Sequence, residues 1–201
     1  MNQVLVVSAT EAEAAGVPAG LPTLICGIGK VPAATSLTKI LARWPSPELP
    51  LVVNVGTAGA LRPGLSGLWL PSAVVNHEMN VTSIEEMGVF LTARYEIPEG
   101  DGSVLATGDV FVTDTVLRDR LAAGAHLVDM EGFALAHVCA EFGAKLQIVK
   151  HISDEADERA MGWPEKVAES AARLGDWLRE RFSPDRSPSG RASSEERSPA
   201  R

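Results

Sequence analysis

The chain has 201 residues, a hydrophobic fraction of 45% and a formal net charge of −8. That length suits one domain. The acidic balance, with no basic patch interleaved with aromatics, excludes nucleic acid and anionic membrane as partners and leaves a small molecule or another subunit. Cys26 and Cys139 stand far apart in apolar runs without CxxC or Cys/His spacing. No metal site or cofactor is therefore expected, and free thiols suit a reducing compartment. The start of the chain lacks a basic flank and a small-residue cleavage site, and no apolar run approaches the about 20 residues of a membrane span, so a cytoplasmic location is expected.

Short apolar runs alternate with helical patterns. Val4 to Val7 reads as a buried strand and Pro22 to Cys26 as a second. Val31 to Trp44 predicts a helix, with Ala33, Ala34 and Ala42 permitting close packing. Leu51 to Val55, Leu68 to Asn76, Val104 to Thr107 and Leu127 to Met130 read as further strands. Glu131 to Phe142 is a helix ending at Gly143, a good C-cap, and Leu146 to Ile152 is a strand. The last helix begins near Trp163-Pro164 and places Val167, Ala171, Leu174 and Leu178 at helical spacing. This pattern predicts a three-layer α/β/α sandwich around a mixed, mainly parallel sheet, forming one domain over residues 1–182. Residues 183–201 turn to Ser, Pro, Arg and Glu and predict a disordered tail.

Six segments carry polar groups at strand ends, where ligands gather in open α/β sheets. Ser8 to Glu13 follows the first strand. Glu13 stands where a carboxylate could reach a strand-end crevice, but taken alone Glu11 and Glu13 read first as acids of a helical first turn. Gly27-Ile-Gly-Lys-Val31 lacks the third glycine of a dinucleotide fingerprint and the spacing of a P-loop. Asn54-Val-Gly-Thr-Ala-Gly59 allows close backbone approach, with the Thr57 hydroxyl available to a polar ligand. Thr107 to Val112 carries Phe111, a core or stacking residue. Val128-Asp-Met-Glu131 puts two carboxylates at a strand-to-helix junction, where unpaired charge is costly. Lys150-His-Ile-Ser-Asp154 ends the last strand. The acids after it lack calcium-loop spacing, and His77-Glu78 lacks the second histidine of a zinc motif.

Together and in this order, these segments resemble the nucleoside phosphorylase and nucleosidase superfamily, most of all the methylthioadenosine/S-adenosylhomocysteine nucleosidases. The resemblance covers about Val4 to Glu158 and rests on Glu13, Gly27–Val31, Asn54–Gly59, Thr107–Val112, Val128–Glu131 and Ile152–Asp157. It implies the three-layer fold, usually a homodimer, and hydrolysis of the N-glycosidic bond of a purine nucleoside. It also implies roles. Glu13 is similar to the base that activates water, Met130 and Glu131 to the residues holding the ribose, and Phe111 and Val112 to the purine contacts. Ser153 and Asp154 resemble the pair that positions the acid for the leaving base. Thr57 and Lys150 fall near the expected water site, where serine and arginine are usual. The stretch from Asn80 to Leu105 is shorter than in typical members, in a region that helps build the 5′ pocket and the dimer contact.

The chemistry asks for this set. A purine anion leaves poorly unless a proton neutralises it at N7, so one carboxyl must give a proton while another takes one from water. Asn54 stands where phosphorylases of the superfamily carry a phosphate-binding arginine, and an amide lacks the charged fork. Water is therefore the expected nucleophile, with Arg62 the one arginine close behind the loop. An adenosine derivative (methylthioadenosine, S-adenosylhomocysteine or 5′-deoxyadenosine) fits the Asp154 carboxyl. Futalosine hydrolysis, a phosphate-dependent phosphorylase and a non-catalytic nucleoside binder stand as alternatives.

Overall fold

A computed structural model describes residues 3–158 and 163–182; the segment expected to be a disordered tail lies outside them. In chain order the elements are β1 (Val4–Ser8), α1 (Glu11–Ala14), β2 (Thr23–Ile25), α2 (Lys30–Leu41), β3 (Leu51–Ala60), β4 (Leu68–Trp69), β5 (Ala73–Asn76), α3 (Val81–Glu85), β6 (Arg94–Glu96), β7 (Val104–Thr107), α4 (Thr115–Ala122), β8 (Leu127–Asp129), α5 (Gly132–Phe142), β9 (Leu146–Asp154) and α6 (Trp163–Phe182).

The long strand β3 joins two halves of one mixed sheet. β9 runs parallel to it along one edge, from Val52 to Gly59. On the other edge β1 pairs in parallel with Leu51 to Asn54, while β8 arrives antiparallel and pairs only with Gly59 and Ala60. β7 and β5 continue from β8 in parallel, and β6 closes that side antiparallel. The carboxyl ends of β1 and β8 thus point at each other across Val55 to Ala58, a topological switch point of the kind that binds ligands.

Alternate residues of the central strands are apolar on both faces because helices cover both. Leu5, Val7, Val52 and Ile148 pack with Leu37 of α2 and Leu135 of α5. Val6, Val53, Val55 and Val149 pack with Leu174 and Leu178 of α6. A third cluster joins Val112, Val128 and Ala156 beside α4. The expected sandwich and mainly parallel sheet are therefore present. The run expected over Leu68 to Asn76 is two strands, because Pro71 lacks the N–H that a ladder needs. β3 continues past Val55 through small residues, and α2 closes at Leu41, three residues before Trp44.

α1 reaches its place through a glycine contact. A Cβ on Gly175 of α6 would lie 2.1 Å from the Gly16 carbonyl oxygen, and one on Gly16 would lie 1.9 Å from that of Ala171. Only glycines let the turn after α1 rest on the α6 backbone. Gly175→Ala is expected to destabilise the protein by about 1–3 kcal/mol through overpacking, against the about 0.5–1 kcal/mol gain that Gly→Ala gives in an uncrowded helix. A urea titration in which the midpoint stays or rises would contradict this contact.

Candidate active site

The gap along β3 is lined from several elements at once. One cavity there is bounded by Thr10 and Glu13, by Ile28, by Thr57, Ala58 and Gly59, by Val110, Phe111 and Val112, by Val128, Asp129, Met130 and Glu131, and by Ser153 and Asp154. Eight of the nine residues expected at the site line it: Glu13, Thr57, Phe111, Val112, Met130, Glu131, Ser153 and Asp154. The ninth, Lys150, does not.

Glu13 is both things its sequence context allowed. Thr10 caps α1, its hydroxyl accepting the Glu13 N–H at 3.2 Å, so Glu13 sits in the first helical turn. Its side chain is nevertheless buried, at 5% exposure. Oε1 accepts the Thr57 N–H at 2.8 Å and the Thr57 hydroxyl at 2.7 Å, and Oε2 accepts the Thr10 hydroxyl at 3.1 Å. The Thr57 amide faces the gap between β1 and β8, and the carboxylate supplies its partner. A Cβ on Gly56 would come within 3.1 Å of Glu13 Oε1, and one on Gly59 within 3.0 Å of Asp154 Oδ1. The glycines of the loop thus admit the protein's own carboxylates.

Asp154 ends β9. Its Oδ2 accepts the Ser153 hydroxyl at 2.7 Å and its Oδ1 the Ala156 N–H at 2.9 Å. Ala156 holds φ +48°, a left-handed conformation that costs a non-glycine residue about 1–2 kcal/mol. It aims that N–H at Asp154.

Glu131 precedes α5 and is 6% exposed. Its Oε1 accepts the Gly29 N–H from the glycine turn at 2.9 Å. Burial, with the charge of Asp129 beside it, pushes its carboxyl up to about 7. Phe111 is 45% exposed at the mouth, whereas Val112 is buried in the wall.

The second acid of the junction, Asp129, has a structural task. It pairs with Lys150 Nζ at 2.9 Å and accepts the Thr107 hydroxyl at 2.6 Å and the Gly132 N–H at 2.9 Å. Thr107 Oγ1 in turn accepts the Phe133 N–H at 3.0 Å. This network fixes the start of α5 and hence Met130 and Glu131. Lys150, 1% exposed, lies behind Asp129, so the direct substrate contact expected of it is replaced by an ion pair beneath the cavity floor. Burial opposes its charge, but the surrounding Asp129, Glu131 and Glu13 keep its pKa above the ordinary lysine value. Ala9, Thr10, Ile28, Ala58, Gly59, Val110, Val128 and Asp129 join the lining beyond the nine expected residues. All eight fall within the segments that the sequence singles out, and Thr10 adds a helix cap three residues before Glu13.

Comparison with known proteins bears on the family and the fold. The model of the phosphorylase superfamily matches residues 92–179. The 5′-methylthioadenosine/S-adenosylhomocysteine nucleosidase of Geobacillus thermodenitrificans is 34% identical over 175 residues, spanning 73% of this chain and 72% of the relative. Among solved structures, the nucleosidase of the same name from Helicobacter pylori superposes with a TM-score of 0.78 at 22% identity, over 89% of this chain and 97% of that one. The futalosine hydrolase of Helicobacter pylori gives 0.77 at 22% identity, over 89% and 96%. The likeness in structure is one of fold; the identity across most of both sequences places the chain in the phosphorylase superfamily, as a member of the 5′-methylthioadenosine/S-adenosylhomocysteine nucleosidase family.

Proposed function

We propose that this domain, residues 1–182, hydrolyses the N-glycosidic bond of an adenosine derivative such as methylthioadenosine, S-adenosylhomocysteine or 5′-deoxyadenosine and releases adenine. The observation that carries the reading is that Glu13, Glu131 and Asp154, far apart in sequence, line one cavity. In this reading Glu131 accepts hydrogen bonds from the ribose hydroxyls while Phe111, Val112 and Met130 pack on the nucleoside. Asp154, oriented by Ser153 and Ala156, shares a proton with purine N7 so that the base leaves neutral. The ribose becomes oxocarbenium-like, and water adds to its anomeric carbon as Glu13, held by Thr57 and Thr10, takes the proton. Lys150 acts through Asp129.

Water is the nucleophile we assign. Among the described residues no lysine or arginine lines the cavity. Asn54 turns away, its Nδ2 donating to the Val7 carbonyl at 3.1 Å, and Arg62 donates to the Ala122 carbonyl at 3.1 Å. A phosphate there would meet four carboxyls and neither of these side chains.

We also infer a homodimer in the cytoplasm. Ile28, Val110 and Phe111 leave apolar surface exposed at the cavity mouth, and Met87 and Phe90 are exposed in the segment after α3. The buried free thiols Cys26 and Cys139 suit a reducing compartment. Sedimentation equilibrium is expected to give twice the chain mass; a monomer at micromolar concentration would refute the dimer.

The decisive experiment is a nucleoside panel assayed with and without phosphate, with free base detected. Adenine release independent of phosphate is expected, and Glu13→Gln should slow it about 10²–10⁴-fold without loss of ligand affinity. Preference for futalosine, whose base is hypoxanthine, would reassign the substrate. Strict phosphate dependence would make the enzyme a phosphorylase, and binding without cleavage a binding protein.

The Glu131 carboxyl gives a pH signature. The ionised form accepts from the ribose, so affinity is present above about pH 7 and lost as pH falls through it. KM for the cleaved nucleoside should rise below pH 7 in the wild type and stay flat in Glu131→Gln; parallel KM profiles would remove Glu131 from the ribose site.

A further inference from the structure

The glycine turn at the start of α2 matches no phosphate motif, yet it ties together the two parts of the cavity that must grip different halves of a nucleoside. The Gly29 N–H holds Glu131, the acid placed at the ribose. The next residue, Lys30, holds the loop placed at the base. Its backbone N–H donates to Asp109 Oδ1 at 2.8 Å. Its Nζ pairs with Glu78, sits 3.6 Å from Asp109 Oδ2 and donates to Asn76 Oδ1 at 3.4 Å. Glu78 Oε1 in turn accepts the Val110 N–H at 3.0 Å. Asp109 and Val110, the two residues before Phe111, are thus both tied to the Lys30–Glu78 pair.

The loop has few other means of holding still. Residues 109–112 belong to no helix or strand, and Asp109, Val110 and Phe111 are exposed. Val112 alone is anchored in the core. Lys30 is also the charge that lets two acids share this corner. Glu78 feels burial that would raise its pKa, but the Lys30 ammonium and the Asp109 and Val110 amides hold it near 2. Removing the ammonium leaves the Glu78 and Asp109 carboxylates facing each other, which drives the loop outward.

We propose that Lys30 is a positioning residue that, through Glu78 and Asp109, sets the distance between the base-contact loop at Val110–Val112 and the ribose acid Glu131, and so governs affinity for the nucleoside rather than the rate of bond cleavage. This rests on the nucleosidase reading for what the loop binds, but not for the clamp itself. Lys30 touches no reacting atom in this assignment. A clamp on the base loop acts on ground state and transition state alike, so its loss raises KM and leaves kcat in place.

The test compares wild type, Lys30→Met, Glu78→Gln and the double variant by steady-state kinetics on the nucleoside the wild type cleaves, and by amide hydrogen exchange of peptides covering 108–112. Lys30→Met is expected to raise KM about tenfold, the scale of one charge-assisted hydrogen bond, with kcat within about twofold of wild type. Glu78→Gln keeps an acceptor for the Val110 amide and should raise KM less. The double variant should be no worse than Lys30→Met, because both act through one pair. Exchange at Val110 should quicken in Lys30→Met while that of the core strands does not. Unchanged loop exchange overturns the clamp. Quickened exchange with an unchanged KM, or additive effects of the two substitutions, overturns its role in affinity. Should the wild type cleave no nucleoside, the functional reading fails, and the exchange measurement still decides whether Lys30 holds the loop.

Discussion

The site depends on a break in one edge of β3. β1 covers that edge up to Asn54, and β8, arriving from the opposite direction, covers it again only from Gly59. A buried backbone amide in such a break needs a partner, since an unsatisfied one costs about 1–3 kcal/mol. The Thr57 N–H finds its partner in the Glu13 carboxylate. The same break therefore makes the cavity and orders the acid inside it. It also explains why Glu13 comes from the first turn of a short helix. A carboxylate capped by Thr10 on α1 projects across the end of β1 into the gap, and the Gly16–Gly175 contact keeps α1 from drifting off the sheet.

The other side of the break is held by charge. Asp129 and Lys150 form an ion pair almost wholly removed from water, a geometry that costs desolvation unless every remaining hydrogen-bonding position is filled. Asp129 meets that condition with the Thr107 hydroxyl and the Gly132 amide. Lys150 lies on β9, Thr107 ends β7 and Gly132 opens α5. The pair consequently locks three elements around the junction from which Met130 and Glu131 project. With Asp129 committed to Lys150, Glu131 is the acid of the junction that lines the cavity with, among the described residues, one hydrogen bond, from the Gly29 N–H to Oε1.

Much of this was legible in the residues. The apolar runs at Val4–Val7 and Leu51–Val55 gave strands because burial on both faces leaves a continuous signal. Eight of the nine residues to which the family resemblance points line one cavity. What escaped has physical reasons. The second half of β3 is Gly-Thr-Ala-Gly-Ala, in which only Thr57 favours a strand, so the strand's extent and the gap beside it were hidden. The four residues of α1 and five of α3 are too few to show a period. Lys150 falls near the expected water site only through the family resemblance. Which way a lysine turns midway along a buried strand follows from the acid opposite it, and Asp129 lies 21 positions away, a pairing made by topology. The role of Lys30 was hidden for the same reason, since Glu78 and Asp109 come from two other strand ends.

The charge of the cavity bears on the chemistry itself. Four carboxyl groups bound it, from Glu13, Asp129, Glu131 and Asp154, and Lys150 behind them is paired with Asp129. Such a site repels an anionic nucleophile. It favours a sugar that gains positive charge as its bond to the base breaks, because fixed negative groups in a water-poor cavity stabilise developing cation without having to reorient. The two preferences have one source, so a mutation that made the cavity welcome phosphate, by freeing or adding a cation near Thr57, would weaken its hold on the oxocarbenium-like transition state. Exchanging water for phosphate in this fold thus asks for a redistribution of charge around the ribose as well as a place for the anion. Asn54, turned onto the Val7 carbonyl inside the sheet, belongs to the same solution as the acids that face the cavity.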